Sequence, residues 1–327
     1  MQKNLHFLGI SDDKSSIDLH KKLLDEAGHT VISLTSSTEI PGDMALRFWG
    51  ARGTLPVPGE KTVRYGGNTN CVTLTVGRKH FFIFDAGTGI KELSNYIVKH
   101  DISPIVAKIF ITHPHYDHIN ALPFFAPLFV KGNEFEIFGT NQDEKTIEEI
   151  ISGTLDGVYM PFTIKEFAAK LSFRNLVVED FFIEDIYIQT MLLSHPGRCL
   201  GYRVQYKNKV FCYITDNELY LENSPHYNQS EVDRLINFIK ECDVLVIDAT
   251  YTDEEYPHKV GWGHSCVSRV VDVADKGKVK LLCLYHHDPE QTDEEIDAKL
   301  KQATVLLEAR HSKTVCVVPA EGDKIVL

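Results

Sequence analysis

Apolar and polar residues alternate in short runs along this chain, and the period of the alternation keeps switching between two and about 3.6. From residue 45 the period-two runs are ALRFWG, CVTLTV, HFFIFDAG, AKIFITH and EFEIFG. After residue 180 they resume as IYIQTMLLSH, GYRVQY, KVFCYITD, DVLVIDAT, VKLLCLYHH and TVCVVPA. All are short and rich in β-branched and aromatic residues, the composition of half-buried or buried strands. Between them lie stretches with helical spacing at 90–100, 141–152, 230–241, near 265–275 and at 292–309. Strands and helices alternate throughout, so an α/β fold with helices covering sheet faces is expected. Many strands end on His, Asp or Asp-Ala-Thr, and α/β sheets collect their sites at strand ends.

The first forty residues have a different texture. Residues 4–10 read as a strand, 15–27 as an amphipathic helix closed by Gly28, and 30–34 as a second strand. This is a βαβ unit long enough for a parallel crossover. With Asp12-Asp13 after the first strand and EAGHTV entering the second, it resembles the opening of a response-regulator receiver domain. The resemblance stops at IPGDMALRFWG, where the phosphoacceptor strand should follow. Residues 1–42 are therefore expected to be a receiver-like remnant that is not phosphorylated in the receiver manner, and residues 43–327 the main domain.

Composition narrows the class. With 34 basic and 46 acidic residues the formal charge is −12, a poor basis for gripping a long phosphate backbone. A small anion held beside bound cations is still compatible with it. The seven cysteines are scattered, form no CxxC pair and mostly lie in apolar runs, as reduced core residues do. The opening MQKNLHFLGISDD lacks the long apolar stretch of a signal peptide, and no run approaches membrane-spanning length. A reduced cytoplasmic protein is expected, with no membrane partner; a homodimer is compatible with the sequence.

The candidate chemistry is concentrated in THPHYDH at 112–118, directly after a strand. One turn there can bring His113, His115, Asp117 and His118 to a common point, and imidazole and carboxylate suit zinc and other first-row divalent metals. His195, Asp216 and His286 stand at the tips of three further expected strands. His113, His115 and His195 could hold one metal and Asp117, His118 and His286 another, with Asp216 bridging. Such a pair of cations acidifies a shared water and clamps the oxygens of an in-line displacement. Zinc is the first expectation; manganese or iron suits the same ligands.

HxHxDH followed by His195, Asp216 and His286 resembles the metallo-β-lactamase superfamily over roughly residues 45–327. FDAGTG at 84–89 resembles the family's early strand-turn element, in which Asp85 would support the metal loop. The resemblance implies an αββα sandwich with a dinuclear centre at one edge, here carrying the N-terminal βαβ extension. Similarity of HHDP to the family's His-Phe-Ser-Pro phrase points to His286 as the last ligand, with the adjacent His287 as the alternative.

The reaction class rests on two further stretches. Asp248-Ala-Thr and Gly263-His264-Ser265 resemble the paired Glu-Ala-Thr and His-Ser-Thr elements of ribonuclease Z and related phosphodiesterases. The resemblance implies that His264, oriented by Asp248, stabilises the phosphate or protonates the leaving oxygen; Asp117 is placed with both the ligands and the catalytic groups. GARGTLPVPGEKTVRYGGNTNC at 50–71 resembles a bacterial branch described as cyclic-nucleotide-phosphodiesterase-like. There Arg52 and Arg64 either contact a substrate phosphate or brace the loop. Phe124, Phe125, Phe129, Tyr159 and Phe162 either wall a pocket or belong to the core. Ribonuclease Z members carry a long arm between the third histidine and the bridging aspartate, whereas here only 216 − 195 = 21 positions separate them. A small phosphodiester such as a cyclic nucleotide is therefore the expected substrate rather than a long RNA. A thioesterase or lactonase of the glyoxalase II kind, or a metal-binding regulator without turnover, are the alternatives.

Overall fold

A computed structural model describes residues 43–77 and 79–327, together with the backbone of two N-terminal strands, β1 (Leu5–Leu8) and β2 (Thr30–Ser33). These two pair in parallel, with Leu5 opposite Thr30, as a separate sheet. The helix expected over 15–27 and the Asp12-Asp13 pair lie outside the described residues.

Among the described residues, the main body is built on two seven-stranded sheets. The first runs β3 (Met44–Gly50), β4 (Cys71–Val76), β5 (His80–Phe84), β6 (Val106–Phe110), β7 (Glu134–Thr140) and β8 (Lys170–Leu176) in spatial order. The second runs β9 (Asp180–Ile183), β10 (Ile186–Leu192), β11 (Leu200–Tyr206), β12 (Lys209–Ile214), β13 (Val244–Asp248), β14 (Leu281–Tyr285) and β15 (Val315–Val317). The C-terminal β16 (Lys324–Val326) returns to the first sheet beside β3. In each sheet one half is antiparallel and the other parallel: β5 to β8 run together, as do β12 to β15.

Period-two patterning explains how the sheets stack. In β5, Phe82 and Phe84 face the other sheet while Ile83 faces a helix layer; in β13, Val244 and Val246 point inward and Leu245 and Ile247 outward. The inter-sheet core is aromatic, with Phe84 packing on Phe211 and Phe110 on Tyr202, each at 5.3 Å between ring centroids. Outside the first sheet lie α1 (Gly89–Lys99) and α3 (Ile147–Gly153). The short α2 (Tyr116–Ile119) carries part of the candidate site. Outside the second sheet lie α4 (Gln229–Ile239), α5 (Val267–Lys276) and α6 (Asp293–Ala309). The order is helix, sheet, sheet, helix, the expected αββα sandwich.

Two local expectations are corrected. The helix expected from 141 begins at Ile147, because Thr146 and Glu149 form a capping box that fixes its start. Residues 170–183, which carried no strand expectation, supply β8 and β9. All seven cysteines are free, and six are buried. Among the described residues, no helix is long and apolar enough to cross a membrane.

Candidate metal centre

Parallel strands present their C-terminal ends together, and here both sheets do so at one place. Asp85 follows β5, THPHYDH follows β6, His195 follows β10, Asp216 follows β12 and His286 follows β14. Asp85, Asp216 and His286 adopt φ of 58°, 55° and 59°. That left-handed conformation costs a residue with a Cβ roughly 1–2 kcal/mol, and it turns each side chain off its strand toward the site.

Two groups of ligand atoms result, each lying within 4.8 Å of one another. In the first, His115 Nδ1 lies 2.8 Å from His113 Nε2 and 3.1 Å from His195 Nε2. Asp216 Oδ2 is 3.6 Å from His113 Nε2 and 3.7 Å from His195 Nε2. In the second, Asp117 Oδ2 lies 3.2 Å from His118 Nε2 and 3.3 Å from His286 Nε2. Asp216 Oδ1 closes that group, 3.2 Å from His118 Nε2 and 3.0 Å from His286 Nε2. One carboxylate thus turns an oxygen to each group.

The outer nitrogens of three of these rings are already engaged. His118 Nδ1 meets Asp85 Oδ2 at 2.8 Å, His195 Nδ1 donates to the Gly263 carbonyl at 2.9 Å, and His286 Nδ1 meets Thr250 Oγ1 at 3.1 Å. Asp85 is itself held by the Thr112 amide and the Tyr213 hydroxyl. With the outer nitrogen occupied, the inner one is left as a lone pair. Burial, reinforced by neighbouring imidazoles, drives His113 well below the ordinary histidine range. Burial also lowers His115 and His195. Three neutral nitrogens pointing at one another cannot satisfy each other with hydrogen bonds, but they suit a first-row divalent cation. In the second group, burial opposes charge on His118, yet Asp117, Asp216 and Asp85 outweigh it and raise its pKa, and a bound cation would take the place of that proton on the inner nitrogen. Burial likewise opposes charge on Asp216, and His286, His118 and His113 overcome it. This donor set fits a pair of divalent metal ions.

Beside the ligands stands a dyad. His264 Nδ1 donates to Asp248 Oδ2 at 2.7 Å, so the shorter aspartate does reach the imidazole. Asp248 is fixed in turn by the Thr250 hydroxyl at 2.8 Å and amide at 3.0 Å. Burial disfavours a charged His264, but Asp248 outweighs it and raises the imidazole to about 9. The His264 ring stacks on His286 with centroids 4.8 Å apart and lies 5.2 Å from His195.

The remaining candidates fall elsewhere. Arg52 is fully buried; its guanidinium donates to the Gly66 and Gln291 carbonyls and pairs with Asp293, so it braces the 50–67 loop. Arg64 pairs with Asp297 at 2.7 Å and with Glu294. Of the adjacent histidines, His286 reaches the ligand group, whereas His287 is buried with neither ring nitrogen hydrogen-bonded. Phe125 is core; Phe129 packs edge-on with Phe162 and Phe167, and Tyr159 and Phe124 are exposed.

Several supporting residues carried no expectation. The Thr54 amide donates to Asp117 at 2.8 Å, and Asn70 Nδ2 lies 3.0 Å from His118 Nε2. A Cβ on Gly53 would sit 2.0 Å from the His286 ring, and one on Gly263 would sit 2.3 Å from His195 Nδ1. Gly53, Thr54 and Asn70 lie in GARGTLPVPGEKTVRYGGNTNC and Gly263 directly precedes His264, but no spacing in either stretch marked them as supports of the site.

The Beta-lactamase superfamily domain matches residues 80–287. Ribonuclease Z of Prochlorococcus marinus is 24% identical over 271 residues, 70% of this chain and 84% of that protein. The metallo-beta-lactamase fold protein YhfI from Bacillus subtilis superposes with a TM-score of 0.63 at 16% identity, covering 86% of this chain and 98% of that one. A diphosphatase from the PhnP family gives 0.61 at 17% identity, covering 87% and 98%. The domain match runs from β5 in one sheet through to the His286 end of β14 in the other, and so takes in the site as well as the scaffold: the chain belongs to the beta-lactamase superfamily.

Proposed function

We propose that this protein is a dinuclear metal-dependent hydrolase of small phosphodiesters, with a cyclic nucleotide as the type substrate. His113, His115 and His195 would hold one ion, Asp117, His118 and His286 the other, and Asp216 would touch both. Ions held there supply Lewis acidity and an acidified water; zinc is favoured, and manganese or iron suits the same donors.

The observation that carries the reading is the His264–Asp248 pair standing against ligand His286. A phosphodiester releases an alkoxide, which needs a proton. His264 carries one near neutral pH, and Asp248 stabilises the imidazolium while fixing its ring. Thr250 holds Asp248, and the Thr54 amide holds Asp117 in its place beside His118 and His286. A small substrate is favoured because the stretch between His195 and Asp216 is the β11–β12 hairpin and carries no arm, and because the chain is acidic.

The test is turnover of bis-p-nitrophenyl phosphate, S-lactoylglutathione and a homoserine lactone by the metal-loaded protein. The diester should be the substrate turned over. With a cyclic nucleotide, whose leaving oxygen is an alkoxide, His264→Ala should lower kcat by about 100-fold while metal content is retained. A full rate in His264→Ala, or preference for the thioester or lactone, contradicts the assignment, and no turnover of any of the three supports a regulator instead.

A further inference from the structure

Between Asp248 and His264 the chain leaves β13, forms a loop and returns to the site. A single buried carboxylate clasps that loop. Glu218 Oε1 accepts from the Tyr256 hydroxyl and the Gly261 amide, and Oε2 accepts from the Gly263 amide, all at 2.8 Å. The Gly263 carbonyl is held from the other side by ligand His195. Gly261 and Gly263 take φ of 87° and 88°, a left-handed conformation that glycine adopts freely. The residue between these two pinned glycines is Trp262, and it is 59% exposed.

An indole left in solvent on a rigid turn beside a catalytic histidine calls for a physical reason. The protein's other tryptophan, Trp49, is buried and donates to Thr73. Loop flexibility does not explain Trp262, because three hydrogen bonds to Glu218 and one from His195 fix its neighbours. Lys259 Nζ lies 4.2 Å from the indole centroid and 5.7 Å from that of Tyr251. Tyr251 in turn stands edge-on to the His264 ring at 5.9 Å. A continuous array therefore leads from the dyad through Tyr251 and Lys259 to the exposed indole. A flat apolar face with a cation beside it suits a ligand that is aromatic and anionic at once. The preset loop spares the ordering cost of binding such a ligand.

We propose that Trp262, with Lys259, forms the subsite that recognises the organic part of the substrate, stacking a nucleobase while the attached phosphoester reaches the metal centre. This rests on the phosphodiesterase reading and names its substrate class as nucleotidic. In a chain of net charge −12, Lys259 also offsets repulsion of the incoming anion at the place where it must arrive.

Two measurements test it. Intrinsic fluorescence reports stacking without turnover, since Trp49 is buried. Adenosine monophosphate should quench the metal-loaded protein saturably, ribose 5-phosphate should not, and Trp262→Phe should remove the response. Quenching that survives Trp262→Phe, equal quenching by both ligands, or none overturns the proposal. The second measurement compares kcat/KM for thymidine 5′-p-nitrophenyl phosphate and methyl p-nitrophenyl phosphate, which share a leaving group. Trp262→Ala should reduce the thymidine-to-methyl ratio about tenfold, and Trp262→Phe should restore most of it. An unchanged ratio overturns the subsite while leaving the hydrolase intact. If neither ester is turned over the hydrolase reading fails, and the quenching result still decides the subsite.

Discussion

Asp216 shows how much of the centre depends on backbone geometry. Its two oxygens serve different ligand groups because a left-handed φ of 55° turns the carboxylate across the end of β12. Glycine does comparable work by absence: Gly53 leaves the space that the His286 ring occupies. Gly53→Ala should displace that ring and lower metal occupancy of the group formed by Asp117, His118 and His286. The check is metal content beside an unchanged circular dichroism spectrum; full occupancy would contradict the packing argument. The side chains that converge here were legible in the sequence because four of them crowd into THPHYDH and the others close strand-like runs. Asn70, Thr112, Thr250 and Glu218 were not, since a side-chain amide, a hydroxyl or a lone carboxylate carries no motif of its own and its role shows only when the fold brings its partners to it. Arg52 suited a phosphate contact and a loop brace equally, and sequence alone did not distinguish the two.

At the scale of elements, α6 fastens the segment after β13. Lys299, fully buried on that helix, donates to the carbonyls of Ala249 at 2.8 Å and Thr250 at 3.1 Å. Burial lowers its pKa to about 7, against the pull of Glu255 and Asp248. The unfolded chain returns lysine to about 10.4, so between those values it binds more protons than the folded chain. Stability from this group therefore rises with pH from about 7 toward 10, and the cost of burying the charge is greatest below 7. Relative to Lys299→Met, the wild-type unfolding free energy should climb by about 1.4 kcal/mol per pH unit at most across that window. Parallel urea-denaturation curves for the two proteins would contradict it. Elements with strong periodicity, such as α1, α4 and α6, were readable to within a residue or two. The polar stretch NQDEKT read as helix because its residues tolerate one, but the Thr146–Glu149 capping box places the start after it. β8 and β9 were invisible because KLSFRNL and DFFI are partly exposed and too short to show a clear alternation.

For the whole molecule, the aromatic layer between the sheets sets the spacing that lets strand ends from both sides meet. Phe84 lies at its middle, packing on Phe110, Phe211, Tyr202 and Tyr213. Phe84→Ala should cost about 3–5 kcal/mol in urea unfolding, and because Asp85 is the next residue, metal affinity should weaken as well. A loss below 1 kcal/mol would contradict the packing argument. The α/β class was legible from the alternating periods; the sandwich was implied only by the family resemblance that the strand-end histidines and aspartates carry. Neighbouring strands mostly pair within about forty positions, but the stacking of one sheet on the other, as of Phe84 on Phe211, and the return of β16 to β3 join residues more than a hundred positions apart.

The central claim is that two divalent ions share Asp216. Native mass spectrometry of the metal-loaded protein, beside Asp216→Ala, tests it most directly. The account predicts two ions on each wild-type chain and loss of both from a variant that remains folded. A wild-type chain holding one ion or none, or a variant that keeps two, would contradict it.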